Sequence, residues 1–344
     1  MIFRQLFDAT SSTYTYLLAS RRGGEALIID PVLDRVDRYL KLIEELDLKL
    51  VKAVDTHLHA DHITGLGALR DHTKCITVMG EQSGVDVVSM RVSDGDRLDI
   101  EGLSLGVIYT PGHTDDSYCF TLADRVFTGD TLLIRGTGRT DFQNGSARAQ
   151  YESIFNRLLK LPDDTLVYPA HDYKGDSVST IAEERAHNPR LRVKSVEEYE
   201  ALMAGLKLSN PKMMDVAVPA NMRQGLHQAE VARRGWAVDA KTAIGLLGQA
   251  DIAFIDLRER AERERHGVLP GSLHVPYSSL TETMTPGGLL HELATATGKR
   301  LLFFCAFGER SAMSVQAAQD AGLHAASHLE GGMDAWKKAG GLLA

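Results

Sequence analysis

The stretch Thr56-His57-Leu58-His59-Ala60-Asp61-His62 closes LKLVKAVDT (48–56), a β-branched-rich run that reads as a strand ending in polar residues. Three imidazoles and a carboxylate leave that strand together on a loop. Spacings of two and three residues can turn several of them into one cavity. Further along the chain, His113 follows Tyr109-Thr110-Pro111-Gly112, Asp130 follows Thr128-Gly129, and His171 follows Tyr168-Pro169-Ala170. Each closes another predicted strand: LSLGVIYTPG (103–112), SYCFTLADRVFTGD (117–130) and DTLVYPAHD (164–172). EALIID (25–30) is a further strand. LDRVDRYLKLIEEL (33–46), with apolar residues three and four apart, is an amphipathic helix. A lone histidine is most often a surface or satisfied core residue. Seven ligand-type residues recurring at strand ends, where α/β layers expose chemistry on loops, point instead to a metal centre.

Length and composition bound the rest. At 344 residues the chain predicts two domains, and 44% hydrophobic with 24% charged residues is enough for ordinary cores. The balance of 38 basic against 46 acidic residues, net −8, excludes binding driven by general attraction to nucleic-acid phosphates and points to small-molecule partners. No apolar run approaches the roughly 18–20 residues that span a bilayer, so no membrane role is expected. Cys75, Cys119 and Cys305 form neither a disulfide framework nor a paired zinc motif, which fits a reducing, cytoplasmic setting. Residues 175–240 read as mostly helical, broken at Asn188-Pro189, Asn210-Pro211 and Pro219. From Lys241 a second α/β pattern runs to the end, so the expected domains are 1–240 and 241–344.

Spacing alone leaves the metal chemistry open. Seven ligands can hold two ions about 3.5–4 Å apart around a hydrolytic hydroxide. Two histidines and one carboxylate suit a mononuclear non-haem Fe(II) that binds oxygen. The combination H-x-H-x-D-H, Gly-His, Gly-Asp and a final His resembles the metallo-β-lactamase superfamily over about residues 1–175, which implies an αββα sandwich. GTGRTDFQ (136–143), HDYKG (171–175) and NPKMMDVAVPANMR (210–223) resemble its persulfide dioxygenase branch to about residue 225. That resemblance implies one Fe(II) per chain on His57, His113 and Asp130, with His59, Asp61, His62 and His171 orienting ligands or bonding water. It also implies dioxygen and glutathione persulfide as substrates, and sulfite and glutathione as products. Arg139 and Tyr173 are the residues expected to grip glutathione, because a guanidinium binds a carboxylate bidentately and a phenol makes one oriented bond. Arg223 is a further candidate. The competing reading of Arg139 is a brace paired with Asp141. Thr137 stands where some relatives carry cysteine.

In the second half, LLFFC ends at Cys305, the loop Ala306-Phe307-Gly308-Glu309-Arg310 follows, and a helix is expected to begin near Ser311. A thiolate there faces backbone N–H groups and a helix N-terminus, which makes Cys305 a candidate nucleophile. Cys75 and Cys119, in TKCITV and SYCFTL, are expected to be structural. The loop, with IDLRE (255–259), HGVLPGSLHVP (266–276) and LEGGMDAWKKAG (329–340), resembles rhodanese over nearly all of 250–340, implying a small α/β domain with a parallel sheet. On that resemblance Cys305 carries sulfur from thiosulfate to glutathione, Arg310 binds the anionic donor, Asp256 and Arg258 brace the fold, and Met333 affects packing only. A rhodanese-fold phosphatase would place its arginine six residues after the cysteine; here it is five. The combined expectation is a fused persulfide dioxygenase and sulfurtransferase, with a homodimer left open. The alternatives are a zinc-type glutathione thioester hydrolase carrying a rhodanese domain, and a sulfur-carrier or sensing module.

Overall fold

A computed structural model describes residues 1–85, 88–206, 208, 213–223 and 228–344. It divides into two compact units: Met1–Gly84 with Arg91–Met222, and Val85–Met90 with Arg223–Ala344. The first holds two six-stranded sheets. In chain order the strands are β1 (Ile2–Asp8), β2 (Thr13–Ala19), β3 (Glu25–Ile29), β4 (Lys49–Val54), β5 (Ile76–Gly80), β6 (Met90–Val92), β7 (Arg97–Ile100), β8 (Leu103–Tyr109), β9 (Tyr118–Thr121), β10 (Arg125–Gly129), β11 (Leu132–Leu133), β12 (Gly136–Thr137), β13 (Leu166–Pro169) and β14 (Ser179–Thr180). One sheet has the order β1-β2-β3-β4-β5-β6 and the other β14-β13-β10-β9-β8-β7.

An aromatic layer joins the sheets. The Phe3 and Tyr168 ring centroids lie 5.0 Å apart, as do those of Tyr16 and Phe127. Rings in this range prefer tilted or edge contacts, and both pairs are tilted. Outside the first sheet the helix Val36–Glu45 buries Tyr39 and Ile43. The Tyr39 hydroxyl lies 2.9 Å from Thr15 Oγ1, which satisfies its polar end. Outside the second sheet, Ile154, Ile181, Tyr199 and Met203 from three helices pack on Cys119, Val126 and Val167. Helix, sheet, sheet and helix therefore form the expected αββα sandwich. It sets the loops after β4, β8, β10 and β13 as carriers of the histidine and aspartate residues.

Two local expectations change. SYCFTLADRVFTGD is two antiparallel strands, β9 and β10, because the Leu122 amide bonds Arg125 O at 2.9 Å across a tight turn. Pro219 lies inside the helix Met214–Asn221 instead of ending it. That helix forgoes the hydrogen bond of one missing N–H and is tied down at its last residue, as described below. The predicted break at Asn210-Pro211 lies outside the described residues. Asn188-Pro189 does end a helix: Asn188 caps the turn Pro189–Leu191 by accepting the Arg190 amide at 3.0 Å.

The second unit has the strands β15 (Ala237–Val238), β16 (Ile252–Asp256), β17 (Leu273–His274), β18 (Arg300–Phe304) and β19 (Ala326–Leu329), all paired parallel in the order β15-β19-β18-β16-β17. Alternate residues serve two cores. Ala253, Ile255, Leu301, Phe303 and Cys305 join one, and Ile252, Phe254, Leu302, Phe304 and Trp336 the other. Burial on both faces explains why these strands read as unbroken apolar runs. The compact unit itself starts at Arg223, ahead of the expected 241, with the helix Gln228–Arg233 and β15 packed in it. The short segment Val85–Met90 belongs there too: Ser89 Oγ donates to Glu309 at 2.9 Å, and Ser89 O accepts from Arg310 at 3.0 Å.

Candidate active sites

In the first unit a chain of donors sets the tautomer of His57. Asp30 accepts the Thr56 amide at 2.7 Å and the Thr56 hydroxyl at 3.0 Å. With its proton spent, Thr56 Oγ1 accepts from His57 Nδ1 at 3.0 Å, which leaves the lone pair on Nε2. His113 is set the same way, because its Nδ1 donates to the Arg139 carbonyl at 2.7 Å. Gly138 makes that approach feasible: a Cβ there would lie 2.2 Å from Asp130 O and 2.8 Å from His113 Nδ1. Asp130 Oδ1 accepts from His171 Nδ1 at 2.7 Å, and its Oδ2 lies 3.5 Å from His113 Nε2. One ligand atom each from His57, His113 and Asp130 lies within 4.8 Å of the other two. Converging acceptors of this kind can hold a metal ion, and two imidazoles with one carboxylate are the donor types of a non-haem iron triad. The donor set fits the expected metal.

The other four residues form a network that joins the triad through the His171–Asp130 bond. His171 donates to Asp130 from one nitrogen and to Asp61 from the other, both at 2.7 Å. Burial opposes its charge, but the carboxylates on either side prevail and hold its pKa well above the usual imidazole range. Asp61 also accepts from His62 Nδ1 at 2.9 Å. His59 bonds Asp30 at 3.1 Å through Nε2. His59 Nδ1 and His62 Nε2 are buried with no hydrogen-bond partner. His59, Asp61 and His62 also place ligand atoms within 4.8 Å of one another.

Of the residues expected to grip substrate, Arg139 makes a bidentate pair with Asp141 at 2.6 and 2.7 Å, and its guanidinium carbon lies 4.8 Å from the Phe142 ring centroid. That is the geometry of the brace. Tyr173 is 72% exposed, with its ring parallel to that of His171 at 6.1 Å. Arg223 is exposed at the end of the helix Met214–Asn221.

Three residues went unread as site residues: Asp30, Asp116 and Asn221. Asp116 accepts the Leu58 amide at 2.9 Å. Asn221 donates to His59 O and His62 O, each at 2.9 Å, and accepts the Thr64 amide at 2.9 Å. The NPKMMDVAVPANMR motif held that signal, since a polar Asn221 closes its otherwise apolar helix.

In the second unit Cys305 is buried, and its sulfur receives the Gly308 amide at 3.2 Å. The following helix begins at Glu309, two residues earlier than expected. Gly332 lets a second turn approach the loop: at φ +58 its Cβ would lie 2.4 Å from Cys305 O. Gln228 spans the same place, donating to Phe307 O at 2.8 Å and accepting the Gly331 amide at 2.7 Å. Arg310 is fully buried and gives both terminal nitrogens to Glu262, at 2.8 and 2.6 Å, with one also on Ser89 O at 3.0 Å. Its guanidinium braces the loop in this geometry, and only Nε is without a partner. Asp256 and Arg258 pair at 2.7 and 2.9 Å, as a brace should. Met333 packs in the core beside Trp336. Cys75 and Cys119 are buried, and burial pushes both thiols up, to about 11 and about 12.

The chain matches the metallo-beta-lactamase superfamily over residues 9–171 and the rhodanese-like domain over 239–339. The human mitochondrial persulfide dioxygenase ETHE1 is 48% identical over 229 residues, covering 66% of this chain and 89% of that protein. This chain belongs to the ETHE1 persulfide dioxygenase family. Solved ETHE1 from Myxococcus xanthus is 54% identical, with a TM-score of 0.63 over 64% of this chain and 98% of that one. A Staphylococcus aureus metallo-beta-lactamase, 20% identical with a TM-score of 0.60 over 96% of this chain and 97% of its own, shares the fold. Unlike the ETHE1 relatives, which align with about two thirds of its length, this family member carries a rhodanese domain after the dioxygenase part. The chain is an enzyme of sulfur metabolism with persulfide dioxygenase and sulfurtransferase parts. Among the described residues no helix is long and apolar enough to cross a membrane.

Proposed function

We propose that the first unit oxidises glutathione persulfide with dioxygen to sulfite and glutathione, using a single Fe(II), and that the second moves sulfur between thiosulfate and glutathione on Cys305. The first reaction balances with one water: the persulfide, O2 and H2O give glutathione and sulfurous acid. His57, His113 and Asp130 would hold the iron, which when bound supplies the redox chemistry with dioxygen. His57 and His113 present fixed lone pairs because Thr56 and the Arg139 carbonyl occupy their other nitrogens. His171 keeps a proton between Asp130 and Asp61, damping the negative charge of the carboxylate ligand. Tyr173, exposed beside His171, is available to the glutathione moiety, with Arg139 and Arg223 as further contacts.

In the second unit the Cys305 thiolate attacks the outer sulfur of thiosulfate, the S–S bond breaks, and sulfite leaves with the electron pair. Glutathione then takes the outer sulfur from Cys305 as glutathione persulfide, and the thiolate is restored.

The observation that carries the one-iron reading is His171, whose two nitrogens both serve carboxylates and leave no lone pair for a second ion. A two-metal hydrolase is favoured by a different one, the group His59, Asp61 and His62 with its two unpartnered nitrogens. Anaerobic iron titration followed by oxygen uptake with glutathione persulfide separates them. One iron per chain with one O2 consumed per sulfite formed is expected. Two tightly held zinc ions in active protein, with no oxygen uptake, overturns the reading.

A further inference from the structure

Behind the Cys305 sulfur a short polar line runs into the core of the second unit. Ser311 Oγ lies 3.9 Å from Cys305 Sγ, 3.0 Å from Gly308 O and 3.2 Å from His328 Nδ1. His328 is in the middle of β19, fully buried, and its Nε2 has no hydrogen-bond partner. An apolar side chain would fill that place without leaving a polar atom unsatisfied. Burial pushes the imidazole down to about 4, so it is neutral at physiological pH and carries one ring proton.

The place of that proton decides what Ser311 does. With the proton on Nε2, a buried donor has no acceptor, and the single Ser311 proton is drawn to His328 Nδ1. With the proton on Nδ1, Nε2 is an unfilled acceptor, which buried sites tolerate better than an orphaned donor. His328 then donates to Ser311, and the hydroxyl proton is left with two acceptors, Gly308 O and Cys305 Sγ.

We propose that His328 is a positioning residue of the sulfur-transfer centre: its Nδ1–H donates to Ser311 Oγ and commits the Ser311 hydroxyl to stabilising the Cys305 thiolate. The inference rests on Cys305 being the sulfur carrier. While Cys305 is a neutral thiol the hydroxyl bonds Gly308 O. Once the sulfur is charged the hydroxyl turns to it, adding a second donor to the Gly308 amide already there. Loading moves the charge to the outer sulfur, and the hydroxyl returns to Gly308 O. The device therefore favours the attacking state of the cysteine.

The test is the pH dependence of Cys305 alkylation by iodoacetamide, read by peptide mass spectrometry on the full chain, alongside thiosulfate turnover. Arg310, Glu262 and Glu309, the charged groups around the loop, are retained in every variant. His328→Leu is expected to lower alkylation at pH 7 about fivefold, to raise its midpoint and to lower turnover in parallel. His328→Asn, whose amide offers an N–H near the position of Nδ1, is expected to recover most of the loss. Ser311→Ala is expected to match His328→Leu, with no further loss when the two are combined. An unchanged midpoint in His328→Leu overturns the proposal, and so do equal losses in the Leu and Asn variants. Thiosulfate turnover that survives Cys305→Ser overturns the carrier reading itself. If Cys305→Ser is inactive while His328→Leu behaves as wild type, the carrier reading stands and His328 alone is refuted.

Discussion

The carbonyl oxygen of Arg139 accepts the Nδ1 proton of His113 at 2.7 Å, so the backbone of this arginine fixes the tautomer of a candidate metal ligand. Its side chain meanwhile is paired with Asp141. One residue thus serves the site through its main chain whatever its side chain does, and substitutions at 139 separate the two contributions.

Arg139→Ala keeps the carbonyl, so iron content should stay near one per chain. If the guanidinium exchanges Asp141 for a substrate carboxylate, KM for glutathione persulfide should rise by the equivalent of about 1.5–3 kcal/mol while kcat changes less. Asp141→Ala, which frees the guanidinium, should then leave KM unchanged or lower it. A lowered melting temperature with unchanged KM in both variants identifies the pair as a brace.

Asp130→Ala removes the only carboxylate of the converging triad and the partner of His171 Nδ1. Bound iron and oxygen uptake should be lost together, as read by metal analysis and an oxygen electrode. Thiosulfate turnover at Cys305 should persist. Mixed with Cys305→Ser, this variant should restore oxygen uptake from thiosulfate and glutathione if the persulfide is released to solution. No uptake from the mixture, with each half-reaction intact, refutes free transfer.

Asn221→Ala leaves His59 O, His62 O and the Thr64 amide without their buried partner. Stability should fall by on the order of 2–3 kcal/mol in denaturant unfolding. Metal affinity should weaken about 10–100-fold, because these carbonyls belong to the loop that carries His57. Lost stability with wild-type metal affinity confines Asn221 to anchoring the helix Met214–Asn221.

Glu262 lies buried against Arg310; burial would raise its pKa, but the guanidinium prevails and holds it below the usual carboxylate range. A folded-state pKa below the unfolded value means the stabilisation is complete above the unfolded pKa, about 4.3, and is lost as pH falls through the folded one. Glu262→Gln should therefore cost about 3–5 kcal/mol at neutral pH, and the gap to wild type should start to narrow as pH falls below about 4. An equal gap at pH 3 and pH 7, measured by urea unfolding, excludes the ion pair as its source.

The candidate site residues were legible because each lies within a few residues of the end of a strand whose apolar pattern can be read: His57 after β4, His113 after β8, Asp130 after β10, His171 after β13. What holds them in place was not. Asp30 and Thr56 are 26 residues apart, and Asn221 and His59 are 162 apart. No local spacing announces such contacts. β2 is buried along its whole length, so it lacks the alternation that marks a half-exposed strand. The turn between β9 and β10 holds Leu122-Ala123-Asp124, with neither glycine nor proline to punctuate it. Around Cys305 the loop was plain from its strand, but the fate of Arg310 depended on Glu262, which lies 48 residues upstream.

Val85–Met90 joins a unit whose remainder begins only at Arg223. On the ribosome this segment emerges with the first unit and waits for a partner that does not yet exist. At roughly 5–20 residues per second, the intervening chain delays that partner by about 7–26 s. Throughout that interval Ser89 lacks the loop residues it will bond, while the sandwich on both sides of it is already able to close. Synthesis order thus makes this segment the last piece of the early-made chain to find its place, and a nascent chain halted before residue 223 should offer it to proteases that the finished protein resists.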